Sequence, residues 1–281
     1  MPADFSSDSP DARLDTLRFA RTKIQPPRAR RGQIARPRLH ALLDEAVAHA
    51  RLVLLSAPAG AGKTTLLGQW LAEAPPGRAH AWLALDEDDD LPRFAAALIA
   101  ALEPFDLPWR TAPEALIRAA QDDPRSGRAS LVAALVNALA AAEARSGVLL
   151  LDDAHRVADP AVFELLEALV ERLPPGWCAL VASRVDPPLG LARLRVSGEL
   201  VELRQRELGF ALDETEALAR ARLPALAAGD IQRLQERTQG WAAGLGLLMA
   251  DAQIRRVSSA GDLRDRHVFD YFASEVLADM P

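Results

Sequence analysis

The segment LVLLSAPAGAGKTTLLGQWL (residues 52–71) constrains the fold more than any other part of the chain. An apolar run ends at Ser56, a stretch rich in alanine and glycine follows, one lysine stands at position 63, and apolar residues then return at helical spacing. A strand that feeds a helix through such a loop can turn its backbone N–H groups toward one centre. The helix start adds the positive end of its dipole. That centre suits an anion. Pro58, Ala59, Gly60, Ala61, Gly62, Lys63, Thr64 and Thr65 are therefore the candidate phosphate-binding residues. Gly60 and Gly62 free the backbone to curl inward. Lys63 is placed to reach the β and γ phosphates of a nucleotide, and the Thr64 hydroxyl is the kind of ligand Mg²⁺ takes. The motif APAGAGKTT departs from the usual phosphate-loop pattern only in Ala57, where a glycine is common. Cation usage sharpens the point. Lys and Arg together number 33, yet lysine occurs only at positions 23 and 63.

Around this loop runs a strand–helix rhythm. Residues 51–57, 80–86, 148–152, 177–183 and 200–208 read as strands. Helices are expected at 39–50, 63–74, 91–102, 129–145 and 160–173, with Gly147 ending the fourth. Continuous apolar strands alternating with helices predict an α/β fold with a parallel sheet covered on both faces. After Phe210 the rhythm stops, and 213–223, 229–239 and 241–253 read as helices alone. The expected organisation is a disordered tail at 1–17 and an entry segment with a helix at 18–50. A core at 51–210 and a helical lid domain at 211–281 follow. The last residues, HVFDYFASEVLADMP, form an amphipathic pattern that stops abruptly, so the chain reads as a piece of something longer.

A phosphate-bound metal needs an anchor from a second strand. VLLLDDAH (148–155) provides it: Asp152 as the metal-side carboxylate and Asp153 as general base or water positioner. His155 is either a group near the γ phosphate or a simple turn residue. Arg184, after the apolar strand VAS, could report the γ phosphate or could be a surface loop arginine. The five acids at 86–90 read better as a solvated helix N-terminus than as a magnesium centre. The single cysteine, Cys178, cannot form an internal disulfide, and no thiolate cluster for zinc exists. A reducing cytoplasm is the natural setting. A net charge of −6 provides no general basic field for nucleic acid. The arginine-rich segment 18–38 lacks interleaved aromatics and is better placed packing beside a nucleotide base. No Asn-Lys-x-Asp tetrad is present to read guanine, which favours adenine. No stretch is long and apolar enough to suggest a membrane span.

Taken together the motifs resemble the nucleotide-binding region of STAND signalling ATPases, and in particular the group of maltose-regulon activators and large ATP-binding LuxR-type transcriptional regulators. The resemblance runs from about Arg21 onward and rests on TKIQPPRARRGQIARPRL, SAPAGAGKTTLLGQW, WLALDEDDDLPRF, LLLDDAH, ASR, LGFALDETEA and TQGWAAGLGLL in order. It implies a P-loop NTPase core with sheet order 5-1-4-3-2, flanked by helices and followed by a small helical lid. It also implies base contacts by Ile34 and Arg36, and ATP or ADP with Mg²⁺ as ligands. Where related ATPases carry Gly-x-Pro in the lid, this chain has Gly240 but Ala242. The resemblance further implies an ATP/ADP switch in a multidomain regulator. Such a switch exchanges nucleotide to control self-association, hydrolyses ATP slowly, and takes its small-molecule or protein inducer and its DNA through other domains. The competing class is a housekeeping ATPase of the clamp-loader or helicase-loader type; a small-molecule kinase or a non-enzymatic scaffold has less to support it.

Overall fold

The computed structural model describes residues 19–28, 32–74, 78–144 and 146–257. The expected disordered tail and the C-terminal amphipathic pattern lie outside the described residues. Five strands form one sheet: β1 (Leu52–Ser56), β2 (Ala79–Ala84), β3 (Gly147–Asp152), β4 (Trp177–Ser183) and β5 (Leu200–Arg204). Their order is β2-β3-β4-β1-β5 and every pairing is parallel, which is the expected order read from the other edge. All five strands thus end on one side, with β1 between β4 and β5.

Alternate residues of β1 face opposite layers, as the two-residue period of a strand requires. Leu52 and Leu54 join the larger core cluster. There α3 (Leu91–Leu102), α4 (Pro113–Asp122), α5 (Ser126–Ala140) and α6 (Pro160–Val170) cover the sheet. Val53 and Leu55 face α1 (Pro37–His49) and α2 (Lys63–Ala72). Burial on both faces is why LVLLS is apolar throughout and not alternating. Helix starts follow local chemistry. The Asp90 carboxylate accepts the Arg93 N–H at the head of α3, and Asp159 accepts Ala161 N–H at the head of α6, with a proline in the first turn of each.

A short helix α7 (Leu191–Val196) leads into β5, which is followed by the single turn α8 (Gln205–Leu208). The expected strand at 200–208 therefore stops at Arg204. The Glu207 carboxylate accepts the Arg204 N–H at 3.0 Å and turns the chain into a helix. Gly147 does not end a helix. Helix α5 stops at Ala140, and Gly147 opens β3 because the ring of Trp177 fills the space a Cβ would need, with ring carbon Cζ3 2.5 Å from that position. The proline-punctuated entry segment contains one 3-10 turn at Arg21–Ile24, packed on β2 and α3. Three helices, α9 (Leu212–Arg222), α10 (Ala228–Thr238) and α11 (Ala242–Val257), complete the described chain around their own small cluster of Leu218, Ala219, Leu223, Ile231, Leu245 and Met249. No helix among the described residues is long and apolar enough to cross a membrane.

The acids at 86–90 are not simply solvated. Asp90 is an exposed cap, but Asp89 is buried, and the Lys23 ammonium lies 2.6 Å from both Asp86 and Asp89. One of the chain's two lysines thus pins the entry segment over the end of β2. Burying a carboxylate at the Asp89 position is costly without such a partner.

Candidate nucleotide site

The loop between β1 and α2 holds the expected residues together. Gly60 has φ +71° and Gly62 φ +88°, left-handed values that L side chains rarely adopt and that turn successive amides inward. Ala59 through Thr65, with Asp153 and Arg184, line a cavity of about 240 Å³. Lys63 is buried, and its ammonium donates to the carbonyls of Ala57 and Pro58. Burial lowers its pKa, the charges of Asp152 and Asp153 oppose that, and Arg184 adds to the lowering. A polyanion in the loop would favour the charged ammonium against that burial.

Asp152 closes β3 and is 2% exposed. It accepts a hydrogen bond from the Thr64 side chain and one from the Asp153 N–H at 3.0 Å. Burial first, and then the neighbouring Asp153 charge, push its carboxyl up to about 6. A hydroxyl and a carboxylate that already touch, both hard oxygen donors, fit one edge of a Mg²⁺ shell whose remaining positions go to phosphate and water. Among the described residues no cluster of three metal-ligating side chains exists. Asp153 sits in the left-handed region at φ +58° beside the phosphate cavity, and His155 Nδ1 lies 4.0 Å from its carboxylate. At the neighbouring strand end, Ser56 donates to Asp186 at 2.7 Å, and Arg204 grips the same carboxylate, so the tips of β1, β4 and β5 are tied together.

A second cavity of about 270 Å³ adjoins the first and shares Gly62 and Thr65 with it. Ile34, Phe210, Leu218 and Ala242 give it apolar walls, and Gln69 and Arg222 add polar ones. It suits a flat heterocycle at the far end of a nucleotide. Of the two expected base contacts, Ile34 lines it and its carbonyl accepts Gln69 Nε2–H at 3.0 Å. Arg36 also lines it, but its guanidinium is committed elsewhere. It donates to Leu208 O, Gly209 O and Glu214 Oε2, each at 2.7 Å, and stacks 4.1 Å over the Phe210 ring. Arg36 thereby fastens the entry segment to the bend between α8 and α9.

The start of α11 closes over the phosphate loop. The Ala243 N–H donates to Gly60 O at 3.0 Å, and the Trp241 indole N–H donates to Ala59 O at 3.1 Å. A Cβ at Gly62 would stand 3.6 Å from that of Ala242. The segment that lacks the proline of related ATPases still reaches the loop. Sequence reasoning missed Trp241, Gln69, Phe210 and Glu214. Their partners lie far along the chain, but Gln69 stands one turn beyond Thr65 on α2 and could have been found by helical spacing.

A family model described as "AAA ATPase domain" matches residues 27–181, more than half of the chain. The chain belongs to the AAA ATPase domain family. Within this AAA ATPase domain the matched span runs from the entry segment to the middle of β4. The HTH-type transcriptional regulator MalT of Yersinia enterocolitica is 33% identical over 265 residues, covering 91% of this chain and 28% of that protein. MalT of Klebsiella pneumoniae is 34% identical over 253 residues, covering 87% of this chain and 27% of that protein. The chain therefore spans little more than a quarter of the length of these relatives. Among solved structures, a Walker-type ATPase of Pyrococcus abyssi matches with a TM-score of 0.48 and 16% identity, over 79% of this chain and 68% of that one. Domain III of the Thermotoga maritima replication initiation protein DnaA matches with a TM-score of 0.42 and 13% identity, over 86% and 95%.

Proposed function

We propose that this AAA ATPase domain is the ATP/ADP-binding switch of a multidomain, signal-responsive transcriptional regulator, with a core at 51–210 and a lid at 211–281. The observation that carries the reading is the seat of α11 on the phosphate loop: Ala243 and Trp241 bond to the carbonyls of Gly60 and Ala59. A nucleotide that reshapes this loop acts directly on the lid. The printed name of the relatives, HTH-type transcriptional regulator, supports the setting.

In this reading the N–H groups of Ala59–Thr65 cradle the phosphates, and Pro58, which has no N–H, only shapes the entry to the loop. The Lys63 ammonium exchanges the Ala57 and Pro58 carbonyls for β and γ oxygens. Thr64 and Asp152 hold Mg²⁺, which when bound neutralises phosphate charge. Asp153 positions or deprotonates the attacking water, and Arg184 senses the γ phosphate. Ile34 and Arg36 shape the base end, Arg36 through the bend it fastens. ADP keeps the lid closed and the chain monomeric. ATP favours an open form that self-associates, and slow hydrolysis restores the first. Moving such an equilibrium from about 1:99 to 99:1 needs about 10⁴-fold discrimination, or about 5.5 kcal/mol, between the two nucleotides' preferences for the two forms. An inducer, small molecule or protein, and DNA engage other parts of the regulator in the cytoplasm, with no membrane role.

The test is to extract the purified protein with acid, identify the released nucleotide by chromatography, and then measure its mass in solution with ADP or with ATP. Retained ADP, and a larger species with ATP alone, are expected. A protein that holds no nucleotide and binds neither would overturn the reading. Rapid DNA-stimulated hydrolysis with no nucleotide-dependent change of mass would point to a motor instead.

A further inference from the structure

The adenine end of the site lacks a reader if only the expected contacts are counted. Gly62, just before α2, and Thr65 and Gln69 on it form one stripe along the second cavity, while Leu66 and Trp70 are buried on the adjoining face. The existing hydrogen bonds leave few groups for a base. The two terminal nitrogens of Arg36 are taken by Leu208, Gly209 and Glu214, and its buried Nε–H, which has no partner, can only donate. Arg222 reaches Gly32 O at 3.5 Å and carries donors only. The Ile34 carbonyl accepts from Gln69 Nε2 at 3.0 Å. A carbonyl can only accept, so the amide of Gln69 must turn its NH₂ toward Ile34, and this fixes Oε1 as the other terminus. Among the described residues nothing donates to that oxygen. Gln69, which shares the cavity wall with Gln33 and Thr65, therefore presents a half-buried acceptor whose orientation is locked from behind.

We propose that Gln69 is the residue that selects adenine over guanine and hypoxanthine. Its Oε1 accepts from the exocyclic 6-amino group of adenine. Against a 6-oxo purine the same atom is an acceptor facing an acceptor. A free glutamine could flip its amide to suit either base. Here a flip would set Oε1 against the Ile34 carbonyl, exchanging one repulsion for another and leaving a carbonyl unpaired. The entry segment thus acts on base choice through its backbone, by orienting a side chain on the phosphate-loop helix. This inference rests on the nucleotide-site reading above, and the experiment separates the two.

Protein stripped of nucleotide is titrated calorimetrically, in Mg²⁺, with ADP, inosine diphosphate and the diphosphate of unsubstituted purine riboside. Wild type is expected to bind the inosine compound about tenfold or more weakly than ADP, with the unsubstituted purine between, the scale of one hydrogen bond lost and one repulsion added. In Gln69→Leu and Gln69→Met the ratio of ADP to inosine diphosphate affinity falls to about one. A merely structural role for Gln69 would weaken all three ligands alike and leave the ratio intact. Equal binding of ADP and inosine diphosphate by wild type, or an unchanged ratio in the variants, overturns the proposal while the nucleotide site stands. The wild-type series needs no substitution, so a misfolded variant does not rescue the idea. If wild type binds none of the three, the site reading itself falls and Gln69 with it.

Discussion

Replacing Arg36 by methionine should loosen the lid while leaving the sheet intact. The guanidinium and the Glu214 carboxylate are 5% and 8% exposed and 2.7 Å apart. The same guanidinium donates to two backbone carbonyls at the α8–α9 bend, of which Gly209 O also accepts from Arg38 at 3.1 Å. Methionine keeps the stem's packing on Phe210 but takes the side-chain donor from Leu208 O and leaves the buried carboxylate with the Ala211 N–H and a longer Arg38 contact at 3.4 Å. Breaking one side of a buried pair costs about 3–5 kcal/mol. Among the described residues the lid cluster sets six buried apolar residues against that loss. The cost therefore falls on α9–α11, as local opening ahead of global unfolding. Amide hydrogen exchange across 212–257, read by mass spectrometry at pH 7, should speed up by about 10²- to 10³-fold, with β1, β3 and β4 unchanged. The double variant Arg36→Met, Glu214→Leu should recover most of the protection, because an apolar pair of similar volume avoids the stranded charge. Acid has a defined sign. Burial works against the Glu214 charge, but the Arg36 hydrogen bond, with help from the Ala211 N–H, outweighs it and holds the carboxyl below its usual 4.5. The stabilisation is complete above that value and drains away as pH falls through the lower folded value. The gap between wild type and Arg36→Met should narrow over the same descent. A change in lid protection under about threefold at pH 7, or a double variant no better than the sum of its singles, would refute the clamp.

Lys63→Ala should weaken ADP and ATP binding by about 10²-fold in calorimetry with an unchanged circular dichroism spectrum, since it removes charge-assisted bonds to phosphate and little packing. Normal affinity would displace the phosphate site from this loop. Arg184→Ala should leave ADP affinity within about twofold and lower ATP affinity about tenfold, the worth of one charged hydrogen bond; an unchanged ATP-to-ADP ratio would remove Arg184 from γ-phosphate sensing. Cys178 is fully buried and its thiol is pushed up to about 12 by burial, with the backbone at Val53 opposing. Iodoacetamide at pH 8 should label it in urea and about 10³-fold more slowly in the folded protein, and fast labelling of the native chain would contradict the packing of β4.

The phosphate loop was legible because all its parts are local: a strand end, two glycines and a lysine within a dozen residues. So were the helix starts at Asp90 and Asp159, each set by a side chain and a proline next to it. What escaped is what depends on distance along the chain. Lys23 meets Asp89 and Arg36 meets Glu214 through the fold, so the acids at 86–90 looked solvated and Arg36 looked free for a base. Gly147 sits where a helix stop would be plausible, yet the ring that makes it obligatory comes from Trp177. Helix α7 has only six residues, too few to show a helical period, whereas α4 buries Leu116, Ile117 and Ala120 on one face and could have been found. Glu207 ended the last strand early through a bond to the backbone of Arg204 that a run of strand-like residues conceals.

The placement of β1 between β4 and β5 has a consequence for synthesis. Leu52 pairs with Ala179 on one side and with Leu200 on the other. At about 5–20 residues per second, the ribosome delivers those neighbours roughly six to thirty seconds after β1 itself. Until then a five-residue apolar strand has no flank to pair with and the phosphate loop has no rigid base. The nascent chain must keep LVLLS sheltered, against α1 and α2 or in a chaperone, for that interval. The nucleotide can assist folding only at its end, once the last strand is out.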